Sequence, residues 1–481
     1  MSLDLPFLDA ATTELFASRI ERGLAPGSVV ALFDGSGELH FSRGFGLDRV
    51  DEGGTTPDAD TAFRIASCTK SFTAAATLLL RDRGALVLDQ PITDFVPEFH
   101  FSDGSPEVPT LRQLLSMSGG LSTDDPWADR QEPLTDDEFR AVLRAGTPRD
   151  STPGTTFRYS NLGYALLGQA IAAASGTSYI EFVTRELLEP LGLTATGFRA
   201  EGRPGRTAVG HRRDASGTWR ALPFSGPGAF SPIGGIVTTA RDLARWAAFL
   251  AGGLTDSPQA GPLSPASRRE LQQVHRTIPS DRVGVEENGY GFGLMVEKGR
   301  SIGHTVGHSG GYPGFSAHLR WNVQAGFGVV GFENATYAGV STPVTALVDR
   351  VIEHLGAGAQ DAKPWAETVT LARAADRLID AWAADASTEL STGASSDGLE
   401  SEILSPNVAL DVPIAERRAA VRGLGLVAAG EEPRLEASAS PAVATWLRES
   451  TSGPVRVRIS LAPIVPARIQ TLTICPEKSA E

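Results

Sequence analysis

Ser67 and Lys70 are the residues on which chemistry can be built. They stand in Phe63-Arg64-Ile65-Ala66-Ser67-Cys68-Thr69-Lys70-Ser71-Phe72, where an extended segment runs into a helix. The helix is expected to continue through Leu80 and to stop at Gly84, a C-terminal cap. On such a helix Ser67 and Lys70 share one face, which sets an amine beside a hydroxyl. A serine hydroxyl is a weak nucleophile until a base takes its proton. A lysine serves as that base when burial or a nearby cation lowers its pKa. The chain holds four lysines, Lys70, Lys298, Lys363 and Lys478, and its other positive side chains are arginines, which do not deprotonate in proteins. Composition alone gives about 0.3 matches to S-x-x-K, so the pair needs partners.

Two segments supply them. Tyr159-Ser160-Asn161 precedes a predicted helix. A tyrosine phenolate held near cations serves as acid or base, and an asparagine amide holds a carbonyl oxygen and an ammonium at once. Gly307-His308-Ser309-Gly310-Gly311 precedes the predicted strand Phe315–Trp321. Glycines at a strand edge admit a substrate close to the backbone, where a free N–H can hold an oxyanion.

In this order and spread, the three segments resemble the serine β-lactamase and penicillin-binding-protein superfamily, and within it the class C β-lactamase-like esterases, D-amino-acid peptidases and amidases. Leu114-Leu115-Ser116-Met117-Ser118-Gly119-Gly120-Leu121, Glu189-Pro190-Leu191-Gly192-Leu193 and Gly234-Gly235-Ile236-Val237-Thr238-Thr239-Ala240-Arg241-Asp242-Leu243 are also similar to segments of that family. The resemblance covers roughly residues 8–356. It implies Ser67 as acylated nucleophile, Lys70 as its base or proton partner, Tyr159 in proton transfer to the leaving group and in activating the deacylating water, and Asn161 orienting the acyl side chain. It also implies an oxyanion hole from the N–H groups of Ser67 and Gly311, beside Ser309 and Gly310. One position departs from the pattern: His308 stands where β-lactamases and penicillin-binding proteins usually carry the lysine of K-T-G. A histidine is mostly neutral at pH 7, so a substrate carboxylate loses its fixed cation, and the H-x-G form resembles the esterase and D-peptidase branch.

The expectation is therefore a serine hydrolase of small esters or amides, D-amino-acid derivatives among them. The alternatives are a β-lactamase or D,D-peptidase, and a non-catalytic binding protein on the same fold. Gly307-x-Ser309-x-Gly311 also matches the nucleophile elbow of α/β-hydrolases, with Asp349 and His354 downstream. That elbow needs a helix after it, and Tyr312-Pro313-Gly314 followed by an alternating strand comes instead. Cys68 reads as a small buried side chain. His304 and His308 lack the H-E-x-x-H or C-x-x-C context of a metal site, so no metal or other cofactor is expected. Ser122–Arg130 reads as an acidic surface turn; Asp124, Asp125 and Trp127 are its candidates for lining a substrate pocket.

The elements that must position these residues run in order. A helix over 8–22 leads to strands Ser28–Asp34 and Glu38–Phe45, joined at Gly35-Ser36-Gly37. Helices follow at Leu111–Ser116, Ser160–Ser175, Ser178–Leu188 and Thr239–Leu250. Strands follow at Tyr290–Glu297, Ser301–Val306, Phe315–Trp321 and Phe327–Phe332, then the helix Thr342–Leu355. Sheet elements around a helical middle predict an α/β (α+β) fold, an antiparallel sheet flanked by helices with an inserted helical subdomain. Gly356–Lys363 reads as a linker between a hydrolase domain, 1–358, and a small α+β accessory domain, 364–481. The latter has a helix over Pro364–Ala386, a loop over Ser387–Gly398 and strands at Val455–Leu461 and Arg468–Ile474. Its sequence leaves open whether it covers the site or mediates homo-oligomer formation. A net charge of −14 argues against nucleic acid or an anionic membrane as partner. Met1-Ser2-Leu3-Asp4-Leu5-Pro6 has no basic region or apolar core of a signal peptide, so a cytoplasmic location is expected.

Overall fold

The computed structural model describes residues 4–202, 205–255, 259–356, 362–384, 396–428, 432–438 and 440–477. The chain divides into two compact units, Met1–Ala359 and Gln360–Glu481.

The first unit is built on an eight-stranded antiparallel sheet. Its strands are β1 (Gly27–Asp34), β2 (Leu39–Gly46), β3 (Arg276–Thr277), β4 (Glu287–Tyr290), β5 (Met295–Gly299), β6 (Gly303–Tyr312), β7 (Phe315–Asn322) and β8 (Phe327–Glu333). The spatial order is β2-β1-β8-β7-β6-β5-β4-β3. Alternation along β1 sends Val29, Ala31 and Phe33 to one face and Val30 and Leu32 to the other. The second face is covered by the N-terminal helical stretch Leu5–Glu21, which passes through a π turn at Thr13–Ala17, and by the helix Ser341–Leu355. The first face buries three helices that concern the site: α1 (Lys70–Asp82), α2 (Asn161–Ser175) and α3 (Ala240–Ala251).

Local sequence explains each of these. Every residue of α1 from Lys70 to Leu80 is buried, as its alanine- and leucine-rich run requires. α2 opens on Ser160, whose hydroxyl accepts from the Gly163 N–H, and closes on Gly176 at φ +71°. Thr239 caps α3 through the Asp242 N–H. Trp246 of α3 stacks on Phe72 of α1 at 3.9 Å and donates to Ser71 Oγ at 2.9 Å, tying the two helices together.

Two expectations are corrected. Tyr290–Glu297 is not one strand: Gly291–Leu294 breaks it into β4 and β5. Gly293, at φ +71°, passes so close to α1 that a Cβ would lie 2.4 Å from the Lys70 carbonyl oxygen. The glycine-rich segment after Val306 does not leave the sheet; it continues β6 through to Tyr312, paired with β7 from Thr305 to Tyr312.

In the second unit, the helix Ala366–Ala383 packs on a three-stranded antiparallel sheet of Val443–Arg448, Val455–Leu461 and Ile469–Pro476. The first of these strands is absent from the sequence reading. So are the helices Ser396–Ile403, Pro406–Asp411 and Ile414–Gly423. Of the expected linker and loop, residues 357–361 and 387–395 lie outside the described residues, and Ser396–Gly398 is helical rather than loop. Among the described residues no helix is long and apolar enough to cross a membrane.

Candidate active site

Ser67 sits on a single 3-10 turn, Ala66–Thr69, rather than inside the α-helix, and Lys70 opens α1. Ala66 holds φ +47°, a left-handed conformation that costs a non-glycine residue of order 1–3 kcal/mol. This sharp turn follows the short pairing of Phe63–Arg64 with Val237–Thr238. Gly310 of β6 packs against it, and a Cβ there would fall 2.3 Å from the Ile65 carbonyl and 3.1 Å from the Ser67 nitrogen. Glycine at 310 is what lets the strand and the Ser67 turn meet.

Lys70 is fully buried, and its Nζ donates to Ser67 Oγ at 2.9 Å and to the Ile233 carbonyl at 3.0 Å. The ammonium lies 5.0 Å from the Tyr159 ring centroid and 5.7 Å from that of Tyr164. Burial pulls the Lys70 pKa down from 10.5 to about 8, against the opposing pull of Asp125, Asp129 and Asp124. An amine so placed is partly neutral near physiological pH and can accept the Ser67 proton.

Tyr159 lies just ahead of α2, with the Ser67 side chain as a polar neighbour that favours its ionised form. Burial, reinforced by the Asp125 charge, pushes its pKa well above 10.0. The side chain is thus a neutral phenol, not the phenolate that its sequence context suggested. The reason is burial first, and then the Asp125 and Asp129 carboxylates in place of a second cation.

Those carboxylates come from the acidic loop, which is docked on the site rather than free at the surface. Asp124 accepts from the backbone N–H groups of Asn161 at 2.7 Å and Leu162 at 2.9 Å, so its oxygens are committed to the α2 N-terminus. Asp125 Oδ1 accepts from Asn161 Nδ2 at 2.6 Å. Asn161 is fully buried, and its Oδ1 has no protein partner. Asp129, only 5% exposed, accepts from the Tyr337 hydroxyl at 2.7 Å, and burial raises its pKa to about 6. Trp127 is 44% exposed and meets Phe230 edge-on at 5.6 Å.

On the other wall, His308 is buried, with Nε2 3.0 Å from the Tyr290 hydroxyl and Nδ1 2.5 Å from the Ser309 carbonyl. Burial and the Lys70 charge push its pKa down to about 3, so the ring is neutral. Cys68 is buried, gives its thiol to the His308 carbonyl at 3.1 Å and is pushed up to about 12, which leaves it inert. Gly311 runs beneath Tyr337, whose ring would lie 2.6 Å from a Cβ there. Ser309 is exposed and lies 2.9 Å from His318 Nδ1. The elbow reading finds no support in this geometry: Ser309 is mid-strand, Asp349 is held by Arg282 at 2.5 Å, and His354 stacks on Phe7 at 4.1 Å. Among the described residues no cluster could hold a metal ion.

Residues 13–353 match the family model described as Beta-lactamase. The chain belongs to that family. It is the family that the three motifs resemble. The chain is 27% identical over 347 residues to "Protein flp" of Staphylococcus aureus (strain MRSA252), covering 70% of this chain and 64% of that protein. The chain thus spans a little under two thirds of that relative's length. Among solved structures, a D-stereospecific amidohydrolase from Streptomyces sp. aligns at TM-score 0.57 with 25% identity, over 70% of this chain and 97% of that one. An octameric penicillin-binding protein homologue from Pyrococcus abyssi aligns at TM-score 0.62 with 20% identity, over 99% of each chain.

Around the predicted motifs of this beta-lactamase family chain lie residues that sequence reading missed. Asp129 had a signal, since it belongs to the acidic loop already singled out. Tyr290 stands between Gly289 and Gly291, a weak hint of close packing. The Ile233 carbonyl and Tyr337 had none, because a backbone oxygen and a lone tyrosine carry no motif.

Proposed function

We propose that this protein hydrolyses small esters or amides through an acyl-enzyme on Ser67. The observation that carries the reading is the buried Lys70 amine, 2.9 Å from Ser67 Oγ, with a pKa near 8. In the first half-reaction Lys70 takes the Ser67 proton and Oγ attacks the carbonyl carbon. The oxyanion is received by the N–H groups of Ser67 and Gly311. The bond to the leaving oxygen or nitrogen breaks as Tyr159 gives it the phenolic proton, and the Lys70 ammonium returns a proton to Tyr159. In the second half water adds to the acyl carbonyl, passes a proton to Lys70, and Ser67 leaves reprotonated. Asn161 orients the acyl side chain.

Esters and uncharged amides are favoured over penicillins and D-Ala-D-Ala termini because His308 is neutral and supplies no cation to a carboxylate. A second reading, toward acyl groups bearing a free amine such as D-amino-acid derivatives, is favoured by Asp125 and Asp129. Both face Lys70 and carry no ion pair among the described residues. The Streptomyces amidohydrolase supports the same direction. For the second unit we propose an accessory domain, and for the assembly a homo-oligomer, the state named for the Pyrococcus abyssi homologue.

The test is a fluorophosphonate probe followed by peptide mapping. Label on Ser67 in the native protein, lost on heating, is the expected result. Label on Ser309 would overturn the reading, and labelling of neither serine, with smaller reagents also failing, would favour a non-catalytic binding protein.

A further inference from the structure

We infer that Glu132 is a positioning residue for this site, a role that rests on Ser67 being the nucleophile. Glu132 is 1% exposed and touches none of the reacting groups, yet its carboxylate contacts the segment before Ser67, the strand that carries Gly311 and the turn whose Ile233 carbonyl holds Lys70. It pairs with Arg64, itself 1% exposed, on the extended segment that leads into the Ser67 turn. Its Oε2 accepts from the Tyr312 hydroxyl at 2.5 Å, and Tyr312 follows Gly311 on β6. Its Oε1 lies 3.5 Å from Ser231 Oγ, on the helical turn Ser231–Gly234 whose Ile233 carbonyl holds Lys70. Ser225 closes the cluster, giving its hydroxyl to Glu132 at 3.1 Å and accepting from Arg64 at its carbonyl at 2.9 Å. The Arg64 guanidinium is sandwiched between the rings of Tyr312, at 4.6 Å, and Phe224, at 5.1 Å. Gly235 leaves the room, since a Cβ there would lie 2.7 Å from Glu132 Oε1.

Stability alone gives little reason for such a cluster. A buried ion pair is often replaced by apolar side chains of similar volume without loss of stability. Geometry gives a better one. The Ser67–Lys70 turn, the Ile233 carbonyl that holds the Lys70 amine and the Gly311 N–H come from three separate chain segments, and a misplacement of about 1 Å among them costs about 100-fold in rate. One carboxylate with several directional acceptor sites fixes all three against a single point, which apolar contacts do not do.

The experiment compares Glu132→Gln, Tyr312→Phe and the double variant Arg64→Met/Glu132→Leu with the wild type. It measures the rate of fluorophosphonate labelling at Ser67, kcat and KM on a small p-nitrophenyl ester, and thermal melting. Glu132→Gln and the double variant are expected to lose about 100-fold in labelling rate and kcat, with KM within about threefold of wild type. Tyr312→Phe, which cuts only the arm to β6, is expected to lose about tenfold. The double variant, freed of buried charge, should melt near the wild type. If it does so and also reacts at the wild-type rate, the positioning role is overturned and the cluster is structural only. Should either Glu132 variant fail to fold, Tyr312→Phe decides, and wild-type kinetics there overturn the inference. A wild type that is not labelled at Ser67 overturns the nucleophile assignment itself, a result distinct from either.

Discussion

Replacing Lys70 by methionine should abolish reactivity and at the same time stabilise the fold. In the proposed mechanism the neutral amine is the base, so reactivity should follow its fraction. With a pKa of about 8, pulled down from 10.5 by burial, about a tenth is neutral at pH 7 and about nine tenths at pH 9. The labelling rate of Ser67 should therefore rise about tenfold across that interval and level off above it. Lys70→Met removes the base, for an expected loss of about 10²–10⁴-fold.

The stability term has the opposite sign. The folded pKa lies below the unfolded one, so the folded state binds the proton less tightly. That penalty is fully present below pH 8 and vanishes only as pH rises past 10.5. At about 1.4 kcal/mol per pKa unit it reaches up to about 3 kcal/mol at pH 7. Methionine escapes it but leaves the Ile233 carbonyl without its donor, which takes back about 1–2 kcal/mol. A net gain of about 1 kcal/mol is expected in urea unfolding at pH 7, shrinking as pH rises. The assays are labelling kinetics from about pH 6 to about pH 9.5 and denaturant melts of both proteins. A flat pH profile, or a Lys70→Met protein that labels within about threefold of wild type, would refute Lys70 as the base.

Tyr159→Phe should still be labelled at Ser67, because Lys70 remains, but kcat for an ester should fall about 100-fold, checked by stopped-flow kinetics. Gly310→Ala should lower stability by about 1–3 kcal/mol and abolish labelling, since its methyl group would collide with the Ile65 carbonyl beneath Ser67; calorimetry and the probe report on the two effects. Asp124→Ala strips two acceptors from the start of α2 and should cost about 1–2 kcal/mol in thermal or denaturant unfolding.

Much of the fold was legible because it obeys local rules. The hairpin of β1 and β2, the helices flanking the sheet and the antiparallel order of the later strands follow from alternation, 3.6-residue periodicity and glycine punctuation. The small second unit was less legible: the strand Val443–Arg448 and three short helices carry weak periodicity, and only their shared core with Trp382 and Trp446 makes them regular. The break at Gly291–Leu294 was hidden for a related reason, since nothing local reveals that Gly293 must clear the Lys70 backbone.

For the site, the sequence by itself determined which side chains were available: a hydroxyl and an amine at helical spacing, a tyrosine and an asparagine at a helix start, and glycines on a strand. It also put a histidine, His308, where the family resemblance leads one to expect a lysine. Only the tertiary structure decided their protonation. Lys70 titrates near 8, Tyr159 is a phenol and His308 is unprotonated because each is taken out of water by residues far away in the chain, while Asp125 and Asp129 add to the Tyr159 shift and oppose that of Lys70. Desolvation and charge proximity are properties of packing in three dimensions, and no spacing along the chain encodes them.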